Sequence, residues 1–236
     1  MCGRLDNDFY LLAKYFDHFS RKSYPEIEPQ RLLHNLPIIE TNRRTDKPMS
    51  KYIKDKYNKP GNVFLGVVHR LDRPTTGIIV FARTSKALER FNKMLRDKTV
   101  NKTYWAVVKN KPKKKKDTLT GFLRKNPKNN KSTSYSFEIE RSKKAILHYN
   151  TIKSLDNYHL LQVDLETGRH HQIRCQLASI GSPIKGDLKY GFNRSNKDAS
   201  IHLHARKIEF LHPVKKEPIS IIAPTPDDVI WKACEI

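Results

Sequence analysis

Residues 66–83 read GVVHRLDRPTTGIIVFAR, and this stretch holds the most reactive arrangement in the chain. Asp72 follows His69 and Arg70 and is followed directly by Arg73. Guanidinium groups beside a carboxylate favour its ionised form. A loop bounded by strands holds such a group at a fixed place. The arrangement can present a carboxylate for chemistry, or it can simply close a hairpin with an ion pair. His202, His204 and His212 suggest a metal at first sight, and strand spacing would put the first two on one face. No acidic or cysteine ligand accompanies them, so structural roles and no metal are expected.

The elements that position Asp72 can be read from the runs around it. Phe64–Val68 and Ile78–Ala82 have strand composition. Between them, Pro74, Thr75, Thr76 and Gly77 are turn residues. Ser85–Arg96 is a predicted helix with Leu88, Phe91 and Leu95 on its core face. Asn101–Lys109 is a strand. Lys111–Lys116 (KPKKKK) opens a polar, Asn/Lys-rich loop through Lys131, which is either solvated or a contact for a polyanion. Ala145–Ser154 and Tyr158–Leu165 form a hairpin around Asp156–Asn157. Thr167–Gly168 turns the chain into a helix over about His171–Ile180, and Ile201–Phe210 and Glu217–Ile222 are closing strands. Nearer the N-terminus, Phe9–Phe19 reads as a short amphipathic helix, Tyr24–Pro37 as an extended connector and Lys47–Tyr57 as a helix. Hairpins with a few helices, rather than regular βαβ units, predict an α+β fold on a mixed, mostly antiparallel sheet.

The chain has 236 residues, enough for a full core as one domain, or as one domain with an appendage. Its formal net charge of +22 concerns partners rather than fold, and a polyanion is the natural one. No long basic amphipathic helix points to a membrane surface. Cys2, Cys175 and Cys234 lie far apart with no CxxC pair, against a zinc module or a disulfide framework. With no apolar leader and no membrane-length run, a soluble protein of a reducing, cytoplasmic compartment is expected.

HRLDRPTTG resembles the HRLD signature of the RluA family of RNA pseudouridine synthases, and four further motifs follow in the family's order. Asn101–Val107 (NKTYWAV) resembles its K-x-Y strand, and Leu165–Leu177 (LETGRHHQIRCQL) its G-R-x-H-Q-I/L-R motif. Gly181–Gly191 (GSPIKGDLKYG) is similar to its G-x-P-I-x-G-D-x-x-Y-G loop, and Ile201–Pro213 (IHLHARKIEFLHP) to its closing motif. The resemblance covers about residues 41–225. Residues 1–40 form an atypical segment: the family's Lys-Pro-Gly turn is missing, with only His34–Glu40 (HNLPIIE) in its place, and no S4-type RNA-binding module is recognisable.

The resemblance implies a pseudouridine synthase catalytic domain over residues 41–236, with an RNA-binding cleft. It acts, as a monomer without cofactor, on uridines in structured RNA, ribosomal RNA before transfer RNA. The alternative is a catalytically silent RNA-binding or ribosome-assembly protein of the same fold. By the same resemblance Asp72 is the catalytic carboxylate, whether as nucleophile or base, and Tyr104 is the active-site tyrosine. Arg174 is the matched guanidinium that keeps Asp72 ionised, a role that Arg169 could also fill. Ile173 would floor the base pocket, Arg70 would fill the space left by an everted base, and Arg73, Arg169 and His69 complete the substrate-binding set. His69, His170 and His171 are expected to act mainly through structural hydrogen bonds.

Overall fold

The computed structural model describes residues 3–5, 9–14, 54–55, 58 and 60–235. The chain divides into two compact units: Met1–Val100 with Lys207–Pro226, and Asn101–Arg206 with Asp227–Ile236.

In the first unit, β1 (Gly3–Leu5), β2 (Phe9–Lys14) and β4 (Thr76–Ala82) pair antiparallel in that order, and β3 (Gly66–Val67) pairs antiparallel with β4. β4 is buried along its whole length, as its Ile-Ile-Val-Phe run requires. Thr84 caps α1 (Ser85–Arg96) by accepting the Ala87 N–H at 3.1 Å. Lys93 and Arg96 in the last turn suit the negative end of the helix dipole. The helix buries Ala87 and Phe91 against Ile78, Val80, Ile208, Phe210 and Ile221. Phe91 meets Phe210 edge to face, with ring centres 4.9 Å apart. β10 (Leu203–Leu211) runs through the division in sequence and pairs antiparallel with β11 (Pro218–Ile222).

In the second unit, β5 (Asn101–Val108), β6 (Lys116–Asn126), β7 (Lys131–Tyr135), β8 (Lys143–Ser154) and β9 (His159–Leu165) pair antiparallel in the order β5-β9-β8-β6-β7. Residues directly opposite across strands share a face, so Tyr104, Val163 and Tyr149 line one side. Ala145 of that face packs with Cys175 of α2 (Gln172–Ser179) and with Tyr190. On the other face Trp105, Val107 and Leu160 pack with Trp231 and Cys234 of α3 (Val229–Cys234). Asp228 starts α3 by accepting the N–H groups of Ile230 and Trp231, and it also pairs with His202 Nε2 at 3.0 Å. These bonds hold the Asp228 carboxyl down at about 2, while burial lowers the His202 pKa.

The α+β expectation holds, with three corrections. Phe9–Lys14 is a strand, not the first part of a helix. A short apolar run fits either period, and pairing with β4 decides the outcome. The polar loop after Lys111 contains β6 and β7. Leu119, Gly121 and Leu123 share the more buried face of β6, a pattern masked by Phe122 on the other face and by the surrounding lysines and asparagines. α3 was not anticipated, although Asp228 before an apolar run is a capping signal. The connector at Tyr24–Pro37, the segment His34–Glu40 and the boundary at residue 40 lie outside the described residues. Of the helix expected over Lys47–Tyr57, Lys54 and Asp55 are described and helical. Among the described residues no helix is long and apolar enough to cross a membrane.

Phe91→Ala should lower unfolding free energy by about 3–5 kcal/mol. A shifted urea midpoint with an unchanged slope would check this.

Candidate active site

The expected site residues fall in both units, four in each. His69, Arg70, Asp72 and Arg73 belong to the first. Asp72 opens a tight turn in which the Thr75 N–H donates to the Asp72 carbonyl at 3.0 Å. The turn is fixed to the sheet because His69 Nε2 accepts the Val80 N–H at 3.2 Å. Thr75 and Thr76 are buried behind it, Asp72 is half-buried, and Arg70 and Arg73 are exposed. The turn therefore carries a carboxylate and two outward guanidiniums on a backbone anchored to a buried strand. His69 spends one ring nitrogen on this support.

Tyr104, Arg169, Ile173 and Arg174 belong to the second unit. Tyr104 lies in β5 at 8% exposure, opposite Val163. Ile173 and Arg174 occupy the first turn of α2 and are both buried. Arg169 is exposed in the preceding turn, where its Nε donates to the Lys144 carbonyl at 2.8 Å. Gln172 ties this turn down: its Oε1 accepts from the Arg169 N–H and the Thr167 hydroxyl, and its Nε2 donates to the Ile146 carbonyl.

The Arg174 guanidinium is held by a carboxylate that sequence reasoning did not single out. Its Nε donates to Asp187 Oδ2 at 2.7 Å and its Nη2 to Asp187 Oδ1 at 2.8 Å, with the two side chains only 6% and 1% exposed. The Tyr190 ring lies under the same guanidinium at 5.0 Å. Asp187 and Tyr190 are placed by a short 3₁₀ turn, Leu188–Tyr190, entered through Gly186. Gly186 has φ +86°, and a Cβ there would stand 2.9 Å from the Asn196 side chain, so only glycine fits. Asp187 and Tyr190 were legible as part of the G-D-x-x-Y-G resemblance, but nothing in the spacing alone paired them with Arg174.

Tyr190 is also the hub of a neutral network. Its hydroxyl accepts the Ser132 N–H at 2.8 Å and lies 2.9 Å from His171 Nδ1. Burial raises the Tyr190 pKa to about 12, so the phenol keeps its proton. Burial first, then the charges of Arg174, His170 and Lys189, lower the His171 pKa to about 3, against an opposing contribution from Asp187. A neutral His171 accepts from Tyr190 at Nδ1 and carries its own proton on Nε2. His171 sits at φ +53°, a left-handed conformation uncommon for a residue with a side chain, and stacks on His170 at 3.8 Å. It is the N-cap of α2, so the helix starts one residue later than expected.

An α+β arrangement of antiparallel strands with a few short helices is the class of fold expected of a pseudouridine synthase. A family description of RNA pseudouridylate synthases matches residues 33–179, and the chain belongs to this family, in the RluA group its motifs resemble. Over 164 residues it is 34% identical to an uncharacterized RNA pseudouridine synthase of Synechocystis, covering 68% of this chain and 50% of the relative. Over 177 residues it is 34% identical to ribosomal large subunit pseudouridine synthase D of Xylella fastidiosa, covering 70% of this chain and 52% of the relative. The chain thus spans about half the length of these curated relatives. Its fold is similar to that of human RNA pseudouridylate synthase domain containing 4, with a TM-score of 0.73 at 18% identity over 99% of this chain and 91% of that one.

Two outcomes test this geometry. Asp187→Ala leaves Arg174 as an unpaired buried charge and should cost about 3–5 kcal/mol of stability, read by denaturant unfolding. For His171, the folded pKa of about 3 lies below the ~6.5 of a free imidazole, so its stabilising contribution is complete above pH ~6.5 and is lost as pH falls toward 3. His171→Asn should therefore lose less stability than wild type between pH 7 and pH 4, seen as converging unfolding midpoints on acidification.

Proposed function

We propose that the chain is an RNA pseudouridine synthase, acting as a cytoplasmic monomer on uridines of structured RNA, large-subunit ribosomal RNA before transfer RNA. The carrying observation is that the family match over residues 33–179 contains Asp72, Tyr104 and Arg174, each inside its own motif. The ribosomal preference is supported by the Xylella relative, a ribosomal large subunit synthase. A net charge of +22 supports a polyanionic substrate, whose counterions are released as its phosphates are neutralised.

The reaction is an isomerisation. The N1–C1′ bond of a uridine breaks, the uracil turns, and C5 bonds to C1′; C5 loses a proton and N1 gains one, so the composition is unchanged. A uridine stacked in RNA must first be everted, at a cost of a few kcal/mol. Asp72 is the carboxylate that acts at C1′ or on the base. Arg174 is the motif-matched guanidinium of the reaction, its donors oriented by Asp187. Tyr104 stacks on the uracil or reaches a proton with its hydroxyl, over a floor supplied by Ile173. Arg70 takes the place of the everted base, and Arg73 and Arg169 bind phosphate, because guanidinium suits both stacking and phosphate. His69 supports the turn from which Asp72 projects.

Release of tritium from RNA labelled at uridine C5 tests the proposal. Wild type should release it. Asp72→Asn should abolish release while RNA affinity stays within a few-fold, because phosphate contacts dominate binding. RNA binding by wild type without release would instead mark a silent RNA-binding protein of the same fold.

A further inference from the structure

Two lysines of the second unit have their pKa lowered by burial, and their surroundings differ. The Lys185 ammonium donates to Asn196 Oδ1 at 2.7 Å, and Asp228 and Asp198 offset part of its desolvation. Lys102 is half-buried and feels desolvation alone. Among the described residues it has no hydrogen-bonding or ion-pairing partner. A cation withdrawn from water without an anion costs free energy unless a ligand supplies one.

Its position says what that ligand is. Lys102 stands two residues before Tyr104 on β5, so both side chains leave the same face of the strand. Lys102 Nζ lies 3.9 Å from where a Cβ would sit on Gly168. Gly168 is exposed, contributes no side chain to cover the ammonium, and adjoins the exposed Arg169, whose guanidinium is aimed by its bond to the Lys144 carbonyl. The ammonium thus stands at an open turn that continues into the exposed Arg169, on the face of the active-site tyrosine. A compact charge with three donors suits a phosphate oxygen, whereas a neutral uracil carbonyl would compensate little of its desolvation.

We infer that Lys102 binds a phosphodiester oxygen of the RNA strand that carries the target uridine, at the Gly168 turn and beside the base seated on Tyr104. This deepens the proposed function and rests on it.

The test compares the full chain with Lys102→Met and Lys102→Arg, measuring affinity for an unmodified transcript of large-subunit ribosomal RNA across a salt series. Lys102→Met should bind roughly tenfold more weakly, with a log–log salt slope shallower by about 0.7–0.9, the share of one phosphate contact. Lys102→Arg should keep the slope. The melting temperature of Lys102→Met should not fall, because the substitution removes an unpartnered desolvated cation. An unchanged slope in a folded Lys102→Met protein overturns the inference, and so does a fall in its melting temperature, which would mark a structural lysine. Lost turnover at saturating RNA with unchanged affinity also overturns it, by placing Lys102 in the chemical step. Wild type that binds RNA but forms no pseudouridine would sink the proposed function alone, since the slope comparison still reads the phosphate contact.

Discussion

The buried ion pair between Arg174 and Asp187 is the constraint on which the second unit's half of the candidate site depends. A guanidinium and a carboxylate this far from water are tolerable only together, with their hydrogen bonds satisfied. The two-pronged geometry fixes the guanidinium in rotation as well as position. The first turn of α2 is thereby locked to the short 3₁₀ turn that carries Asp187 and Tyr190. Because the pair is neutral as a whole, Arg174 would influence a substrate through oriented donors more than through a free positive charge. That refines the expectation drawn from a single matched arginine.

Around this pair the structure keeps its titratable groups neutral. Tyr190 stays a phenol and His171 an uncharged imidazole, so one hydroxyl links β7, the start of α2 and the ring beneath Arg174 without adding a charge. The left-handed His171 is held by its bond to Tyr190 and its stack on His170, and strained backbone of this kind persists only where neighbours over-determine it.

The sequence made the strongly patterned parts of the fold legible. α1 has the expected bounds, Ser85–Arg96, because its apolar spacing, Thr84 cap and basic last turn agree. The β8–β9 hairpin falls where alternation and the Asp156–Asn157 turn put it. Phe9–Lys14 was misread because a short aromatic run carries no decisive period, and its partner strand lies more than sixty residues away. β6 was hidden by composition, since Lys116, Thr118, Thr120, Arg124 and Asn126 on its outward face are polar and only Gly121 and Leu123 are buried. The motifs drew attention to Arg174 and Tyr104, but not to Arg174's carboxylate partner. Asp187 lies thirteen residues on, across a glycine-directed turn that spacing rules do not reach.

The division of the chain has a consequence for any attempt to dissect it. The path starts in the first unit, enters the second at Asn101, returns at Lys207 and re-enters the second at Asp227. Neither body can be excised as an uninterrupted fragment, and cutting at Arg206 would deprive the larger piece of Trp231, which fills the face behind Trp105. Domain-swapped chimaeras with relatives would have to exchange two segments at once, matching both seams, rather than graft a single block.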